Sequence, residues 1–214
     1  MRSQVFLRRS LAAAALLLVG RVAQAAVTAY SSQAALLSAV GPSGVDTYTG
    51  LSITGSTATP IVRSAGAFGY TASAPGDFLG AGTTANPWLS TNIGTDAITF
   101  YSFTGGVSAV GGNFLGSNIA GAFAAGSVML SAIDSLGATS TQTITGATTS
   151  SFLGFVSNGA MTSVVLSSVQ PSSGFLWPTA DNLILAAAVP EPQTYAMMLA
   201  GLGLMGFMVR RRRG

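Results

Sequence analysis

The chain has 214 residues, no cysteine, no histidine, 7% charged residues and a formal net charge of +3. That composition excludes a disulfide framework and the usual zinc and copper ligand sets, and it removes the common Ser-His and Cys-His nucleophile pairs. The charge does not indicate a nucleic-acid binder. Of nine Lys+Arg positions only Arg63 lies between residues 26 and 189, against Asp46, Asp77, Asp96, Asp134 and Asp181, so this stretch carries about −4 and lacks the clustered cations that counterion release requires.

Arg2, Arg8 and Arg9 precede an apolar run from Leu11 to Val19, and Ala23-Gln24-Ala25 supplies a small-x-small cleavage site. Residues 1–25 therefore read as a secretory signal peptide, with Ala23 and Ala25 at the signal peptidase cleavage positions and a mature chain starting near Ala26. Arg8-Arg9-Ser10-Leu11 faintly resembles a twin-arginine signal, but paired arginines are common in ordinary n-regions, so the general export route is favoured.

The stretch 26–188 reads as one exported β domain, long enough for a real core. Its many Gly, Ala, Ser and Thr residues would suit disorder, yet Phe, Val, Ile and Thr recur at strand spacing. Residues 31–40 predict one short helix, capped by Ser31 or Ser32, striped by Leu36, Leu37 and Val40, and ended by Gly41-Pro42. Strands are expected at 45–49, 59–64, 66–72, 96–103, 106–115, 126–134, 138–145, 151–157, 160–168 and 181–187, with 50–58 and 73–86 as loops.

Asn158-Gly159 predicts a type I′ hairpin pairing Ser157 with Ala160, Val156 with Met161 and Leu153 with Val164. Both faces of that hairpin are apolar, so its strands should be central and covered on both sides. Asp134-Ser135-Leu136-Gly137 predicts a second turn, leading into a strand whose threonines at 139, 141, 143 and 145 share a solvated face near a sheet edge. Short strands separated by turns favour an antiparallel β-sandwich over a closed barrel.

The last residues form an ordered series. Pro190 and Pro192 fix their own φ and hold Val189 and Glu191 extended. Gln193 to Val209 is uncharged and, at about 1.5 Å rise per residue, reaches roughly 26 Å as a helix. That is at the low end for a single transmembrane helix. Arg210, Arg211, Arg212 and Arg213 follow as a basic stop that predicts a cytoplasmic C-terminus. Gly201, Gly203 and Gly206 spell G-x-G-x-x-G, but prolines precede it and no acidic residue follows. Close helix approach in a membrane explains these glycines better.

Val189-Pro190-Glu191-Pro192, the Ala-, Leu- and Gly-rich segment and the arginine cluster together resemble the PEP-CTERM sorting domain of exported bacterial proteins, over residues 189–214. The resemblance implies a Gram-negative host and processing near Pro190-Glu191-Pro192 by an exosortase, an integral-membrane transpeptidase-like enzyme. It also implies an association with exopolysaccharide and with biofilm or floc matrix. The order of segments in 30–187 resembles the ectodomains often joined to this tail, in which a short helix of the Tyr30-to-Leu37 type precedes a jelly-roll-like sandwich. In those, strands such as Ile98-Thr99-Phe100, Phe152-to-Phe155, Thr162-Ser163-Val164 and Asp181-Asn182-Leu183 follow.

Candidate chemistry inside the domain is sparse. Two carboxylates could hydrolyse a glycosidic bond, but each aspartate suits a turn or the start of a strand, so catalysis is not expected and no cofactor is implied. Asp77, Asp181 and Asn182 are oxygen donors that could hold a structural calcium ion, without any D-x-D loop. Trp88 after Asn86-Pro87 and Trp177 before Pro178 are candidate platforms for a sugar ring. The expected protein is an exported, exosortase-processed envelope or matrix component with a structural or adhesive sandwich; the alternative is a carbohydrate-binding module tethered at the cell surface. Its expected partners are exosortase, signal peptidase, the export machinery, the inner membrane and exopolysaccharide. It would be anchored transiently in the inner membrane with the domain in the periplasm, then reach the cell surface or matrix.

Overall fold

The computed structural model describes residues 26–189, 198–203 and 205. The elements in chain order are β1 (Val27–Tyr30), α1 (Gln33–Ser38), β2 (Val40–Asp46), β3 (Ser56–Thr57), β4 (Ile61–Ala65), β5 (Phe68–Ser73), β6 (Phe78–Thr83), β7 (Asn86–Thr91) and β8 (Ile98–Thr104). They continue with β9 (Val107–Ser117), β10 (Phe123–Ala124), β11 (Gly126–Asp134), β12 (Thr139–Ala147), β13 (Phe152–Ser157), β14 (Met161–Val169) and β15 (Trp177–Ala188). Residues 198–203 and 205 are helical. Among the described residues no helix is long and apolar enough to cross a membrane. Most of the segment read as a spanning helix, with the PEP tripeptide, the basic stop and the signal peptide, lies outside the described residues.

The strands form two sheets, all of whose pairings are antiparallel. The larger runs β1-β13-β9-β15-β7-β6-β3, with β10 also on β9 and β2 also on β15; the smaller runs β12-β11-β14-β8-β5-β4. The sheets close over a core that includes Tyr48, Tyr70, Phe78, Phe100, Phe114, Phe155, Leu130 and Leu166. A second cluster of Leu36, Val40, Ala109, Ile184 and Ala186 seats α1 against the larger sheet, with Phe152 and Val156 packed on it. The described residues are therefore mostly antiparallel β-sheet, as expected, with the expected short N-terminal helix α1 and a second short helical stretch at 198–203 and 205. Ser32 caps α1, accepting the Ala35 N–H at 3.2 Å.

Asn158-Gly159 does not form the expected hairpin. β13 lies in the larger sheet between β1 and β9, whereas β14 lies in the smaller sheet between β11 and β8. Neither Asn158 nor Gly159 has positive φ, so a type I′ turn is not formed. Ser157 pairs with Val27 instead of Ala160. The link leans on the β11–β12 turn, where the Ser135 N–H donates to the Ala160 carbonyl at 2.8 Å and the Ala160 N–H donates to Ser135 Oγ at 3.2 Å. The two apolar faces have separate causes. On β13, Leu153 and Phe155 enter the core while Phe152 and Val156 lie on the α1 side; on β14, Met161, Val164 and Leu166 enter the core.

The Asp134 turn is as expected. Asp134 Oδ1 accepts the N–H groups of Leu136 and Ala138 at 2.9 and 2.8 Å, and the threonines at 139, 141, 143 and 145 are exposed on edge strand β12. The regions read as loops hide β3 and β6. Phe78-Leu79-Gly80-Ala81-Gly82-Thr83 carries too little β-branched or aromatic character to register as a strand. Its ladder with β7, from Phe78↔Thr91 to Thr83↔Asn86, is that of a tight hairpin around Thr84-Ala85, a pair without the usual Asn-Gly or Asp-Gly turn signal.

Candidate functional site

One end of the larger sheet gathers the ends of β7 and β9 and the start of β15. Ser90 stands opposite Thr179, and Ser117 opposite Trp177. Ser90, Ser117 and Thr179 are buried, and their hydroxyls satisfy one another: Thr179 Oγ1 lies 2.8 Å from Ser117 Oγ and 3.1 Å from Ser90 Oγ. Ser90 also donates to the Pro178 carbonyl at 3.1 Å. This polar floor lets strands of small residues approach closely without leaving a buried hydroxyl unpaired.

Aromatic walls rise from the floor. Phe175 is 63% exposed, and its ring meets that of Trp177 edge to face, 6.3 Å between centroids at 70°. Trp177 Nε1 donates to the Asn92 carbonyl at 3.3 Å. Gly94 supplies the seat, because a Cβ there would lie 3.1 Å from Trp177 Cδ2 and 3.2 Å from Phe175 Cβ. The Gln170 amide then ties the two loops together. Its Nε2 donates to the carbonyls of Gly94 and Leu176, both at 2.8 Å, and its Oε1 accepts the Leu176 N–H at 3.1 Å.

Two adjoining cavities result. One of about 100 Å³ lies over Ser90 and Ser117, with Asn118 and Gly121 of the next loop on its far side. The other, of about 280 Å³, is lined by Asn92, Ile93, Gly94, Thr95, Ile119, Phe175 and Trp177. Asn92, Ile119 and Trp177 border both. Of the two candidate tryptophans, Trp177 thus belongs to an open groove.

Trp88 does not. It lies on β7 with its Nε1 buried and, like Asp181 Oδ1, lacking a hydrogen bond of ordinary geometry. Asp181 is 5% exposed and accepts the Asn182 side-chain amide at 3.1 Å. Burial pushes its carboxyl above the usual value; the Asn182 backbone N–H and the approaching Asn86 and Trp88 side chains favour the charged form without outweighing burial. A raised folded pKa means stability that is fully present below the ordinary carboxylate value and lost as pH rises through the folded one. Asp181→Asn is therefore expected to raise the neutral-pH melting temperature by about 2–4 °C, for a gain of about 1 kcal/mol. Melting curves at pH 4 and pH 7 check this: the gain should shrink at the lower pH.

The calcium candidates do not converge. Asp77 is an exposed loop residue whose carbonyl accepts the Asn92 N–H at 2.9 Å, at the opposite end of β7 from Trp88 and Asp181. Among the described residues there is no group of three or more His, Cys, Asp or Glu that could hold a metal ion.

The remaining aspartates are structural. Asp96 Oδ2 accepts the Gly76 N–H at 2.9 Å. Asp134 accepts the Ser157 hydroxyl, which holds its carboxyl below the usual range and links the turn of the smaller sheet to β13 of the larger. Asp46, expected near a strand start, is the last residue of β2 and faces inward. It takes Arg63 Nε at 2.6 Å and Nη2 at 2.7 Å, the Tyr70 hydroxyl at 2.6 Å and the Tyr48 N–H at 2.8 Å. Arg63 also lies 5.4 Å from the centroid of the Tyr48 ring. One sequence signal could have exposed this network: a lone arginine among five aspartates in a folding domain needs a partner.

At the other end of β15, Ala188 pairs with Val40, and Val189 leaves the sheet half exposed. From that point the sequence matches the family model of the PEP-CTERM protein-sorting motif, over residues 188–213. This is a PEP-CTERM domain-containing protein. The PEP-CTERM motif marks the chain as exported and targeted to an exosortase, and it begins on the last residue of the final strand. No curated protein matches the chain, and no solved structure does.

Proposed function

We propose that the mature domain is a non-catalytic structural or adhesive component of the cell envelope or extracellular matrix, associated with exopolysaccharide and biofilm. Signal peptidase and the export machinery deliver it. The apolar stretch 193–209 holds it transiently in the inner membrane with the jelly-roll-like sandwich in the periplasm, until exosortase acts at Pro190-Glu191-Pro192.

The observation that carries the non-catalytic reading is the chemistry of the groove: among the described residues no ionisable side chain lines either cavity. Among the described residues the Ser90, Ser117 and Thr179 hydroxyls meet one another and backbone carbonyls rather than a base that could activate them. Asp46, Asp96, Asp134 and Asp181 are engaged by other groups rather than paired across a cleft, as glycoside hydrolysis would require. A second reading, a carbohydrate-binding module tethered at the surface, is favoured by the open aromatic walls of the same groove.

Fractionation of the native host tests the reading. The wild-type chain should appear shortened at both ends in the surface or matrix fraction. A Glu191→Ala variant should accumulate in the inner membrane with its C-terminal segment retained. Native chain found in the cytosol with both ends intact, or hydrolysis of matrix polysaccharide by the purified chain, would sink it.

A further inference from the structure

The geometry points to the groove between the 92–95 loop and the Phe175–Trp177 segment as a binding site for an uncharged sugar ring within a polysaccharide chain. This rests on the carbohydrate-binding reading above and assigns it a location and a ligand class.

The first argument is preorganisation. A large aromatic ring left 63% exposed loses contact with the core, yet here the loops that present it are fastened by internal bonds. The three hydrogen bonds of the Gln170 amide, the Trp177-to-Asn92 bond and the Gly94 seat fix the angle between the two rings before any ligand arrives. Rigid support of exposed aromatic walls is what a binding site needs and what a solvated loop does not.

Chemistry selects the ligand. A pyranose has an apolar C–H face and a rim of hydroxyls. Phe175 and Trp177 offer the faces, with Ile119 and Ile93 at 78% and 50% exposure beside them. For the rim, the side-chain amide of Asn92 and the hydroxyl of Thr95 are exposed and make no hydrogen bond within the domain. A cavity of about 280 Å³ is at the lower edge of small-ligand pockets, suited to a single ring with its neighbours projecting along the groove.

Charge narrows the class further. Among the described residues no cation lines the groove. Asp77 and Asp96 stand behind it: the Asp77 carbonyl holds Asn92, and the Asp96 N–H donates to the Ile93 carbonyl at 3.0 Å. With the domain itself at about −4, uronate or sulfated chains are repelled at low salt. Neutral hexose or N-acetylhexosamine polymers are the ligand class.

The test uses the full chain, purified in detergent, on an array of neutral hexose, N-acetylhexosamine and uronate oligosaccharides. Saturable binding confined to uncharged oligosaccharides is expected. It should weaken about tenfold or more in Phe175→Ser and in Trp177→Ala, and stay unchanged in Trp88→Phe. Phe175→Ser alters an exposed side chain, so its melting curve should match the wild type and separate lost binding from lost folding. Binding that survives both groove substitutions overturns this site while leaving a sugar-binding module in place; no neutral-sugar binding at all overturns both. A dimer in sedimentation velocity that Phe175→Ser dissociates, without sugar binding, would assign the groove to a second copy of the chain and also overturn the proposal.

Discussion

Arg63→Ala should destabilise the domain by about 3 kcal/mol, lowering its melting temperature by roughly 6–12 °C. Asp46 is 5% exposed and Arg63 20% exposed, so removing the guanidinium leaves a carboxylate inside the sandwich with only neutral donors. Burial raises the Asp46 pKa, but the hydrogen bonds from Arg63 and Tyr70, the Arg63 charge and the Tyr48 N–H outweigh it and hold the carboxyl below its usual value. The partial exposure of Arg63 places the expected cost at the lower end of the range for breaking buried pairs. A lowered folded pKa supplies stability that is fully present above the ordinary carboxylate value, near pH 4, and is lost as pH falls through the folded value. Equilibrium denaturation between pH 2 and pH 7 should therefore show an acid limb in the wild type that is flattened in Arg63→Ala. A cost under about 1 kcal/mol, within the range of exposed pairs, would mean that the pair is solvated.

Gly44→Ala should cost about 3 kcal/mol, at or beyond the upper end for overpacked sites. A Cβ at residue 44 would lie 2.0 Å from the Ala65 carbonyl oxygen, 2.4 Å from its carbon and 2.8 Å from the Gly66 nitrogen. These are backbone atoms at the end of β4, in the opposite sheet, and no rotamer change can move them. Gly44 sits on β2 opposite Leu185, two residues before Asp46, so the same displacement stretches the Asp46–Arg63 pair. The two substitutions should consequently be less than additive in Gly44→Ala/Arg63→Ala. Ser43→Ala, exposed on the neighbouring position, is the control and should stay within about 0.5 kcal/mol. Equal denaturation midpoints for Gly44→Ala and Ser43→Ala would show that the sheets can separate freely here.

Both effects live where the two sheets touch, and that is where sequence reading fell short. Asp46, Arg63 and Tyr70 lie on three strands of two sheets, and nothing in local periodicity joins positions 17 and 24 residues apart. The groove has the same character: Ser90, Ser117, Gln170 and Trp177 come from four segments, and only Trp177 stood out, as an aromatic residue beside a proline. Trp88 carried an equal signal yet lies with its ring nitrogen buried next to Asp181. A flanking proline reports local extension; it does not report what covers the ring.

Asn158-Gly159 makes the same point for topology. The dipeptide announces a reversal of the chain, and the chain does reverse there, but the reversal passes from one sheet to the other because β1 already occupies the edge of β13 that a hairpin would need. A turn fixes the local path over a few residues, whereas strand partners are set by which long-range pairings bury the most apolar surface.

The sequence by itself determined the delivery of this protein and the character of its domain. The ordered PEP-CTERM tail, the β-rich alternation, the helix capped by Ser32 and the exposed threonine face of β12 all depend on neighbours within a few positions. Tertiary structure alone decided the partners of β13 and β14, the ion pair that ties the sheets, and the opening of the Phe175–Trp177 groove. Each of those arises from segments far apart in the chain, whose meeting is fixed by close packing of the whole sandwich rather than by any local preference.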